Sequence, residues 1–311
     1  MTSRTTPASH HHGPVLLEVN DLQVEFRMRE GTAKAINGVS FDLRGGETLA
    51  ILGESGSGKS VTAQAIMGII DSPPGFVSGG SVKFRGQELL TMPEKKRREF
   101  RGPEISMIFQ DALSSLNPVF PVGWQIGEMF RIHRGMNRTD AKKAAIRLME
   151  KVNIPAAKER VDAYPHQFSG GMRQRIMIAM AISLDPAVLI ADEPTTALDV
   201  TVQAQIMQLL AELQADSGMG LILITHDLGV VADVADRIAV MYAGKIVEQA
   251  DVASIYSRPA HAYTRGLLDS IPRVDAKGQT LYAIGGLPPN LMRIPEGCAF
   301  NPRCRFATEA F

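Results

Sequence analysis

Residues 53–60 read Gly-Glu-Ser-Gly-Ser-Gly-Lys-Ser and fit the pattern G-x-x-x-x-G-K-S/T, which constrains the fold more than any other stretch of the chain. The apolar run 48–52 before it predicts a buried strand, and residues 59–70 predict a helix. Glycines leave backbone N–H groups open to anionic oxygens, and a helix N-terminus favours an anion. The segment therefore predicts a phosphate-binding loop in an α/β fold. A strand-to-helix turn without a nucleotide is the alternative, but the spacing, the lysine and the hydroxyl all argue against it.

The lysine and the serine that end this loop have the chemistry of a nucleotide and magnesium site. Lys59 is a compact cation that we expect beside the β and γ phosphates, and the Ser60 hydroxyl is expected on Mg²⁺. The predicted nucleotide-binding residues of the loop are Gly53, Ser55, Gly56, Ser57, Gly58, Lys59, Ser60 and Val61.

Three more apolar runs each end in side chains suited to proton or metal chemistry. Asp192 and Glu193 follow residues 188–191, Gln110 follows 105–109, and His226 follows 221–225. Because ligands of open α/β sheets gather at the carboxyl ends of the strands, we expect these residues at one edge. There Asp192 would help to hold Mg²⁺ through water, and Glu193 would orient or deprotonate the attacking water. Taken singly, the carboxylates also fit a solvated turn and the histidine a structural role.

The order of these segments resembles the ATP-binding subunits of ABC transporters. The resemblance runs from about Leu17 to the end of the chain, with Gln110 as the Q-loop, a signature at 169–172, a D-loop at 197–199 and His226 as the switch histidine. It implies an α/β phosphate-loop NTPase fold, an ABC cassette with an antiparallel β region, a helical insertion and a loop-rich C-terminal accessory segment. It implies an ATPase that uses ATP and Mg²⁺. It also implies that Phe26 stacks on adenine, with a core position on a strand face as the alternative. The implied catalytic residues are Glu193, His226 and Gln110, and the implied Mg²⁺ contacts are Ser60, Gln110 and Asp192.

The signature residues Ser169, Gly170, Gly171 and Met172 point to a second cassette. The first three are expected to precede an apolar helix at 173–184, so that their amides face an anion. An ordinary helix cap with a Gly-Gly turn is the local alternative. The resemblance implies that the anion is the γ phosphate of ATP on another cassette, identical or paralogous. Asp199 in the D-loop would then lie at the interface.

The sequence between the motifs is similar to that of dipeptide and oligopeptide importer ATPases, and in particular to the D-type subunits of dipeptide permeases. The similarity lies in residues 109–118, 164–175, 191–201 and 258–264. Met172 replaces the glutamine commonest in ABC cassettes, but methionine is usual in this branch. The resemblance implies an ATPase that powers peptide import. A cassette of a nickel or other small-solute importer is the alternative, and a soluble ABC ATPase outside transport is a more distant one.

Charge and hydropathy bear on the partners. The 33 basic and 33 acidic side chains balance, so no strong attraction to nucleic acid is expected. No stretch reaches the ~18 to 20 apolar residues that span a bilayer. Transport would therefore need separate membrane subunits. The resemblance implies two transmembrane permease subunits and an extracytoplasmic substrate-binding protein, with this chain peripheral on the cytoplasmic face of the cell membrane. Residues 109–122 are the predicted docking surface, with Leu116, Val119 and Phe120 as exposed apolar anchors or, alternatively, as core residues.

The predicted organisation has three parts. Residues 1–14 form a disordered tail, 15–250 an ABC ATP-binding domain with a helical insertion at about 95–180, and 251–311 a proline-interrupted accessory segment of the peptide-importer type. Cys298 and Cys304 lie in a tail similar to one that carries four cysteines and can hold a 4Fe–4S cluster in this family. A third cysteine would fall at position 311, where the sequence has Phe311. Either the chain is truncated before the other ligands or these are ordinary reduced thiols.

Overall fold

The computed structural model describes residues 12–111, 115–196, 198–271 and 283–308. Most of the predicted disordered tail, Ala197 of the D-loop, part of the predicted docking surface and Phe311 lie outside these residues. Within them, the fold consists of one antiparallel sheet, one mostly parallel sheet and helices that cover both.

The antiparallel sheet is formed by the first part of the chain. Strands β1 (Val15–Met28), β2 (Gly31–Arg44), β4 (Gly75–Phe84) and β5 (Gln87–Glu88) lie in the order β2-β1-β4-β5, and every pairing is antiparallel. Leu17, Val19 and Val24 of β1 are fully buried on the face that packs inward. This sheet is the antiparallel β region predicted from the sequence.

The second sheet carries the strand ends that the sequence singled out. It contains β3 (Thr48–Leu52), β6 (Ile105–Ile108), β7 (Val188–Asp192), β8 (Gly220–Thr225), β9 (Arg237–Tyr242) and β10 (Lys245–Asp251), in the order β10-β9-β3-β8-β7-β6. All pairings are parallel except β10 with β9. Since β3, β6, β7 and β8 run the same way, their carboxyl ends meet at one edge.

The parallel sheet is buried on both faces, which explains its continuous apolar runs. In β7, Val188 and Ile190 pack in the core shared with the antiparallel sheet. Leu189 and Ala191 point the other way, into the core shared with the helices. The α/β fold expected from the sequence is thereby confirmed.

Helices cover the sheets and make up most of the regular structure in the predicted insertion. Helix α1 (Lys59–Met67) follows the phosphate loop and ends three residues before the predicted position 70, because Gly68 adopts a left-handed conformation with φ of 63°. Further helices are α2 (Glu94–Phe100), α3 (Val122–Arg134), α4 (Arg138–Lys151), α5 (Ala157–Arg160) and α6 (Gly170–Ala181). Strand β6 lies inside the range 95–180, so that segment is not wholly helical.

The remaining elements close the parallel sheet and lead into the C-terminal region. Helices α7 (Val200–Ser217) and α8 (Leu228–Val234) connect the strands, and α9 (Val252–Ser257), α10 (Ala262–Asp269) and a 3₁₀ turn (Asn301–Arg303) follow them. Tyr263 and Phe300 pack with Tyr242 of β9 in a third core. Among the described residues, no helix combines the length and apolar character needed to cross a membrane.

Candidate nucleotide site

The phosphate loop has a backbone that only glycine can supply. Gly53 and Gly58 have φ of 157° and 107°. A Cβ atom on Gly53 would lie 2.3 Å from the carbonyl oxygen of Met241, and one on Gly58 would lie 2.7 Å from that of Ala35. The loop is also tied to the turn after β9, since the Gly244 N–H donates to the Ser57 carbonyl at 2.9 Å. Its shape is therefore set by close backbone approach on two sides.

Lys59 lies inside this loop as a nearly buried cation. Its Nζ donates to the carbonyl oxygens of Gly53 at 2.8 Å and Glu54 at 3.1 Å. An ammonium has three N–H donors, so one remains for a phosphate oxygen. Burial lowers the pKa of Lys59, and the negative charges of Glu193, Asp192 and Glu54 oppose that change. The surrounding carboxylates thus favour the charged form that a triphosphate needs.

Ser60 and Asp192 form the part of the site that fits Mg²⁺. The Ser60 hydroxyl donates to Asp192 Oδ1 at 3.0 Å, across 132 positions of sequence. Burial raises the pKa of Asp192 while the Ser60 hydrogen bond lowers it. A divalent cation would offset this cost, because Mg²⁺ prefers oxygen ligands and is usually bound through one or two carboxylates together with substrate phosphates.

A buried polar atom in the loop also fits an anionic ligand. Ser57 Oγ has no hydrogen-bond partner among the described residues. An unpaired buried hydroxyl is costly, and a phosphate oxygen would satisfy it. The donors of the loop and the Ser60–Asp192 pair together match a nucleotide with its magnesium ion.

Glu193 lies where three strand ends meet. Its Oε2 accepts hydrogen bonds from Gln110 Nε2 and from Thr196 Oγ1, both at 2.9 Å. His226 Nδ1 lies 3.5 Å from the other carboxylate oxygen. The structure therefore brings together the three residues predicted to be catalytic. Gln110 contacts Glu193 here, whereas Ser60 and Asp192 contact each other. Their individual roles stay predictions.

Thr196 was missed by the sequence reasoning. It lies in a turn closed by the hydrogen bond from its own N–H to the Glu193 carbonyl at 3.2 Å, which brings its hydroxyl beside the Glu193 carboxylate. A hydroxyl three residues after a carboxylate, just beyond a strand and a proline, is the signal that could have identified it. Glu193 itself has φ of 45°, a conformation that is rare outside glycine and is found at functional sites.

Substituting Thr196→Val should lower the rate of ATP hydrolysis while leaving ATP affinity unchanged. The valine keeps the shape but removes one of the two hydrogen bonds to Glu193 Oε2. We expect a loss of about fivefold to thirtyfold, the scale of one or two kcal/mol. Steady-state hydrolysis and nucleotide titration would measure it. Thr139→Val, at an exposed threonine of α4, is the control. A rate equal to that of the unaltered protein would show that Thr196 does not position Glu193.

The signature begins its helix earlier than expected. Helix α6 starts at Gly170 and ends at Ala181, whereas the sequence predicted 173–184. The physical reason is that Ser169 caps the helix, its hydroxyl accepting from the Met172 N–H at 3.4 Å. Gly171 packs so closely on α7 that a Cβ atom would lie 2.6 Å from Val202 Cγ1. The two glycines therefore form the first turn instead of preceding it.

Asp199, Phe26 and Val61 are the remaining residues that the sequence placed at the nucleotide or at the interface between cassettes. Asp199 caps α7, its Oδ1 accepting from the Val202 N–H at 2.9 Å. Phe26 and Val61 are partly buried and pack against the core between the sheets. The stacking of Phe26 on adenine stays a prediction.

Two of the three predicted docking anchors are exposed. Val119 and Phe120 are 69% and 39% exposed, and the ring of Phe120 stacks on that of Trp124 at a centroid distance of 4.4 Å. Leu116 is only 2% exposed, so its prediction as an exposed anchor was wrong. It packs in the helical core with Val122 and Ile126, which is the alternative that the sequence left open.

Cys298 and Cys304 do not form a cluster site with the residues that the structure describes. Both are free thiols, Cys298 exposed and Cys304 partly buried. Cys298 Sγ lies 3.7 Å from His261 Nε2. No group of three or more His, Cys, Asp or Glu side chains in the described ranges could hold a metal ion. The described residues therefore do not fit a four-thiolate iron–sulfur cluster.

A phosphate loop between a parallel strand and a helix, on the same sheet edge as acidic side chains at the end of the next strand but one, defines the class of phosphate-loop NTPases. The family model described as ABC transporter matches residues 36–196. A second model, described as the C-terminal region of oligopeptide/dipeptide transporters, matches residues 247–310. The chain belongs to the ABC transporter family.

Several relatives extend this match over nearly the whole chain. The chain is 50% identical to the oligopeptide transport ATP-binding protein OppD of Salmonella typhimurium strain LT2, covering 99% of this chain and 91% of the relative. It is 54% identical to OppD of Bacillus subtilis strain 168, covering 94% of this chain and 82% of the relative.

Solved structures with the same architecture include two ABC cassettes. The dimeric cassette MJ0796 bound to ADP and Pi matches with a TM-score of 0.69 at 25% identity, covering 76% of this chain and 99% of that one. The cassette cbiO1 of Clostridium perfringens, part of the ABC transporter complex cbiONQ, matches with a TM-score of 0.66 at 28% identity, covering 78% of this chain and 91% of that one.

Proposed function

We propose that this chain is the ATP-binding and ATP-hydrolysing subunit that powers a membrane ABC importer of oligopeptides or dipeptides. The observation that carries the proposal is the convergence of Lys59, Asp192 and Glu193 in a chain about half identical to OppD proteins. Lys59 supplies the cation for the β and γ phosphates, and Glu193 accepts the proton of the attacking water. Ser60, Asp192 and Gln110 would hold Mg²⁺, which would stabilise the negative charge on the phosphates.

Two cassettes share each ATP in this proposal. The loop of one cassette binds the phosphates, and the N-terminus of α6 in the other, with Ser169 as its cap, faces the γ phosphate. The likeness to a cassette whose structure is dimeric supports this arrangement. His226 lies near Glu193 and would contact the γ phosphate from the same side. Hydrolysis then removes the ligand that holds the cassettes together, and they separate.

The proposed assembly lies at the cytoplasmic face of the cell membrane. Two permease subunits span the bilayer, and an extracytoplasmic substrate-binding protein delivers the peptide. The exposed Val119 and Phe120 support a contact with a permease, because exposed apolar side chains mark interaction surfaces. The match of residues 247–310 to the oligopeptide/dipeptide model supports peptide cargo over nickel. An iron–sulfur cluster is not part of the proposal, since the described residues do not fit one.

Reconstitution of the importer tests this proposal. The chain would be affinity-purified from membranes with the subunits that accompany it and placed in lipid vesicles with the substrate-binding protein. We expect Mg²⁺-dependent ATP hydrolysis that rises with added oligopeptide, together with uptake of labelled peptide. Uptake of nickel instead of peptide would overturn the assignment of peptides as the cargo. Purified material without ATP hydrolysis would overturn the proposed activity.

A further inference from the structure

The C-terminal region reaches back to the phosphate loop at one residue, Glu54. We use the name C-terminal region for the described residues 252–271 and 283–308. The guanidinium of Arg303 donates two hydrogen bonds to the Glu54 carboxylate, from Nη1 to Oε2 at 2.7 Å and from Nη2 to Oε1 at 3.0 Å. The Arg303 side chain is 6% exposed, so this is a largely buried bidentate pair. Such pairs fix geometry as well as charge.

A second contact from the C-terminal region reaches the backbone of the same residue. The Glu54 N–H donates to the Tyr263 hydroxyl at 2.8 Å. That N–H belongs to the same peptide plane as the Gly53 carbonyl, which accepts from Lys59 Nζ at 2.8 Å. A trans peptide is planar and its N–H and C=O point in opposite directions. Tyr263 therefore holds one end of the peptide unit whose other end holds Lys59.

Packing makes these two side chains rigid. The ring of Tyr263 lies 4.6 Å from that of Tyr242 and 5.3 Å from that of Phe300, centroid to centroid. Arg303 also donates from Nε to the Gly285 carbonyl at 2.9 Å and from Nη1 to the Tyr242 hydroxyl at 3.3 Å. Both side chains are thus held by partners other than Glu54, and they can hold the loop in turn.

The Arg303–Glu54 pair also affects the charge of the phosphate loop. A carboxylate inside a loop that binds phosphates repels its ligand, and Glu54 is close enough to Lys59 to oppose the fall in the pKa of that lysine. The guanidinium of Arg303 compensates the Glu54 charge within the buried pair. Without it, the uncompensated charge of the Glu54 carboxylate would oppose the binding of the triphosphate.

We propose that Tyr263 and Arg303 are positioning residues of the nucleotide site, through which the C-terminal region holds the Gly53–Glu54 peptide and sets the affinity of the phosphate loop for ATP. This inference rests on the proposed function, because it requires the loop to bind ATP. It gives the C-terminal region a direct part in nucleotide binding.

Three substitutions test the inference on the full-length chain. Tyr263→Phe removes only the hydroxyl. Arg303→Lys keeps the positive charge but loses the planar group that donates two hydrogen bonds to the carboxylate. Arg303→Gln removes the charge. We expect the dissociation constant and the KM for MgATP to rise about fivefold to thirtyfold in Tyr263→Phe and Arg303→Gln, with kcat at saturation nearly unchanged. Arg303→Lys should restore part of the affinity. A fluorescent ATP analogue and steady-state hydrolysis give these values.

The Glu54→Gln substitution separates positioning from general destabilisation. If Arg303 acts through Glu54, the loss in Arg303→Gln should be much smaller when Glu54→Gln is already present. Arg305→Ala is the matched control, because Arg305 belongs to the same region but pairs with Asp269 at 2.7 Å instead of with the phosphate loop. We expect the control to bind ATP like the unaltered chain.

The outcomes distinguish this inference from the proposed function. If the unaltered chain binds no ATP, the proposed function fails. If it binds ATP and Tyr263→Phe and Arg303→Gln bind equally well, the positioning role is refuted. Equal losses in Arg303→Gln and Arg305→Ala would likewise refute it, because the effect would then be one of folding. Thermal unfolding without nucleotide identifies a variant that fails to fold, and the isosteric Tyr263→Phe then decides the test.

Discussion

Replacing Glu193 with glutamine is expected to lower ATP hydrolysis by at least about a hundredfold while leaving ATP binding intact, because a general base contributes about a hundredfold to ten-thousandfold. The amide has the shape of the carboxylate but cannot accept a proton from water. It retains an oxygen that can accept from Gln110 or Thr196, so the geometry around the strand ends should survive. Binding should survive too, since Lys59, Ser60 and Asp192 are unchanged.

The measurement combines hydrolysis with assembly. Steady-state phosphate release gives the rate, nucleotide titration gives the affinity, and the size of the complex with and without ATP reports whether the cassettes remain closed together. Glu193→Gln should accumulate the closed pair when ATP is present. Glu212→Gln, at an exposed glutamate of α7 that accepts a hydrogen bond from Gln208 at 2.9 Å, is the control. Hydrolysis at the unaltered rate in Glu193→Gln would remove Glu193 from the role of base.

The parallel sheet explains why much of this site was predictable. Gln110, Asp192 and His226 are far apart in sequence, but each follows an apolar run long enough for a buried strand. Once β6, β7 and β8 are taken as parallel neighbours, their carboxyl ends must share an edge. The contacts of Glu193 with Gln110 and His226 follow from that topology.

Tertiary contacts explain two of the predictions that differ from the structure, the start of the signature helix and the exposure of Leu116. The Gly170–Gly171 pair was predicted to precede an apolar helix that begins at 173, and glycine is a poor helix former. In the structure the Ser169 cap and the close approach of Gly171 to Val202 outweigh that preference. Leu116 was predicted as an exposed anchor because the family resemblance implied a docking surface at 109–122, and it packs in the helical core instead.

The ion pair between Arg303 and Glu54 is another tertiary contact that the sequence did not predict. The two residues are 249 positions apart, and neither belongs to an apolar or periodic pattern that predicts their meeting. A loop residue between fixed motif positions and an arginine in a proline-rich tail look like solvated charges when read alone. The packing of Tyr263 and Phe300 on Tyr242 helps to bring the C-terminal region to the phosphate loop.

The other large effect is expected from Lys59→Ala, which should weaken ATP binding itself by about a hundredfold or more. The substitution removes the only side-chain cation of the loop, in a site where burial makes its interaction with phosphate stronger than in water. It also removes the hydrogen bonds that the Gly53 and Glu54 carbonyls accept from Lys59. Hydrolysis should fall with binding, in contrast to Glu193→Gln. Titration with MgATP measures the loss, and Lys245→Ala, at an exposed lysine that begins β10, is the control.

The pH dependence of ATP binding provides a second test of the role of Lys59. Burial lowers the pKa of Lys59 from the ordinary lysine value of 10.5, so its neutral form gains population at a lower pH than that of an exposed lysine. Only the charged form attracts the phosphates. The affinity of the unaltered chain for ATP should therefore decline as the pH rises toward 10.5, and Lys59→Ala should lack that decline. Equal affinity in both proteins across this range would mean that Lys59 does not bind the triphosphate.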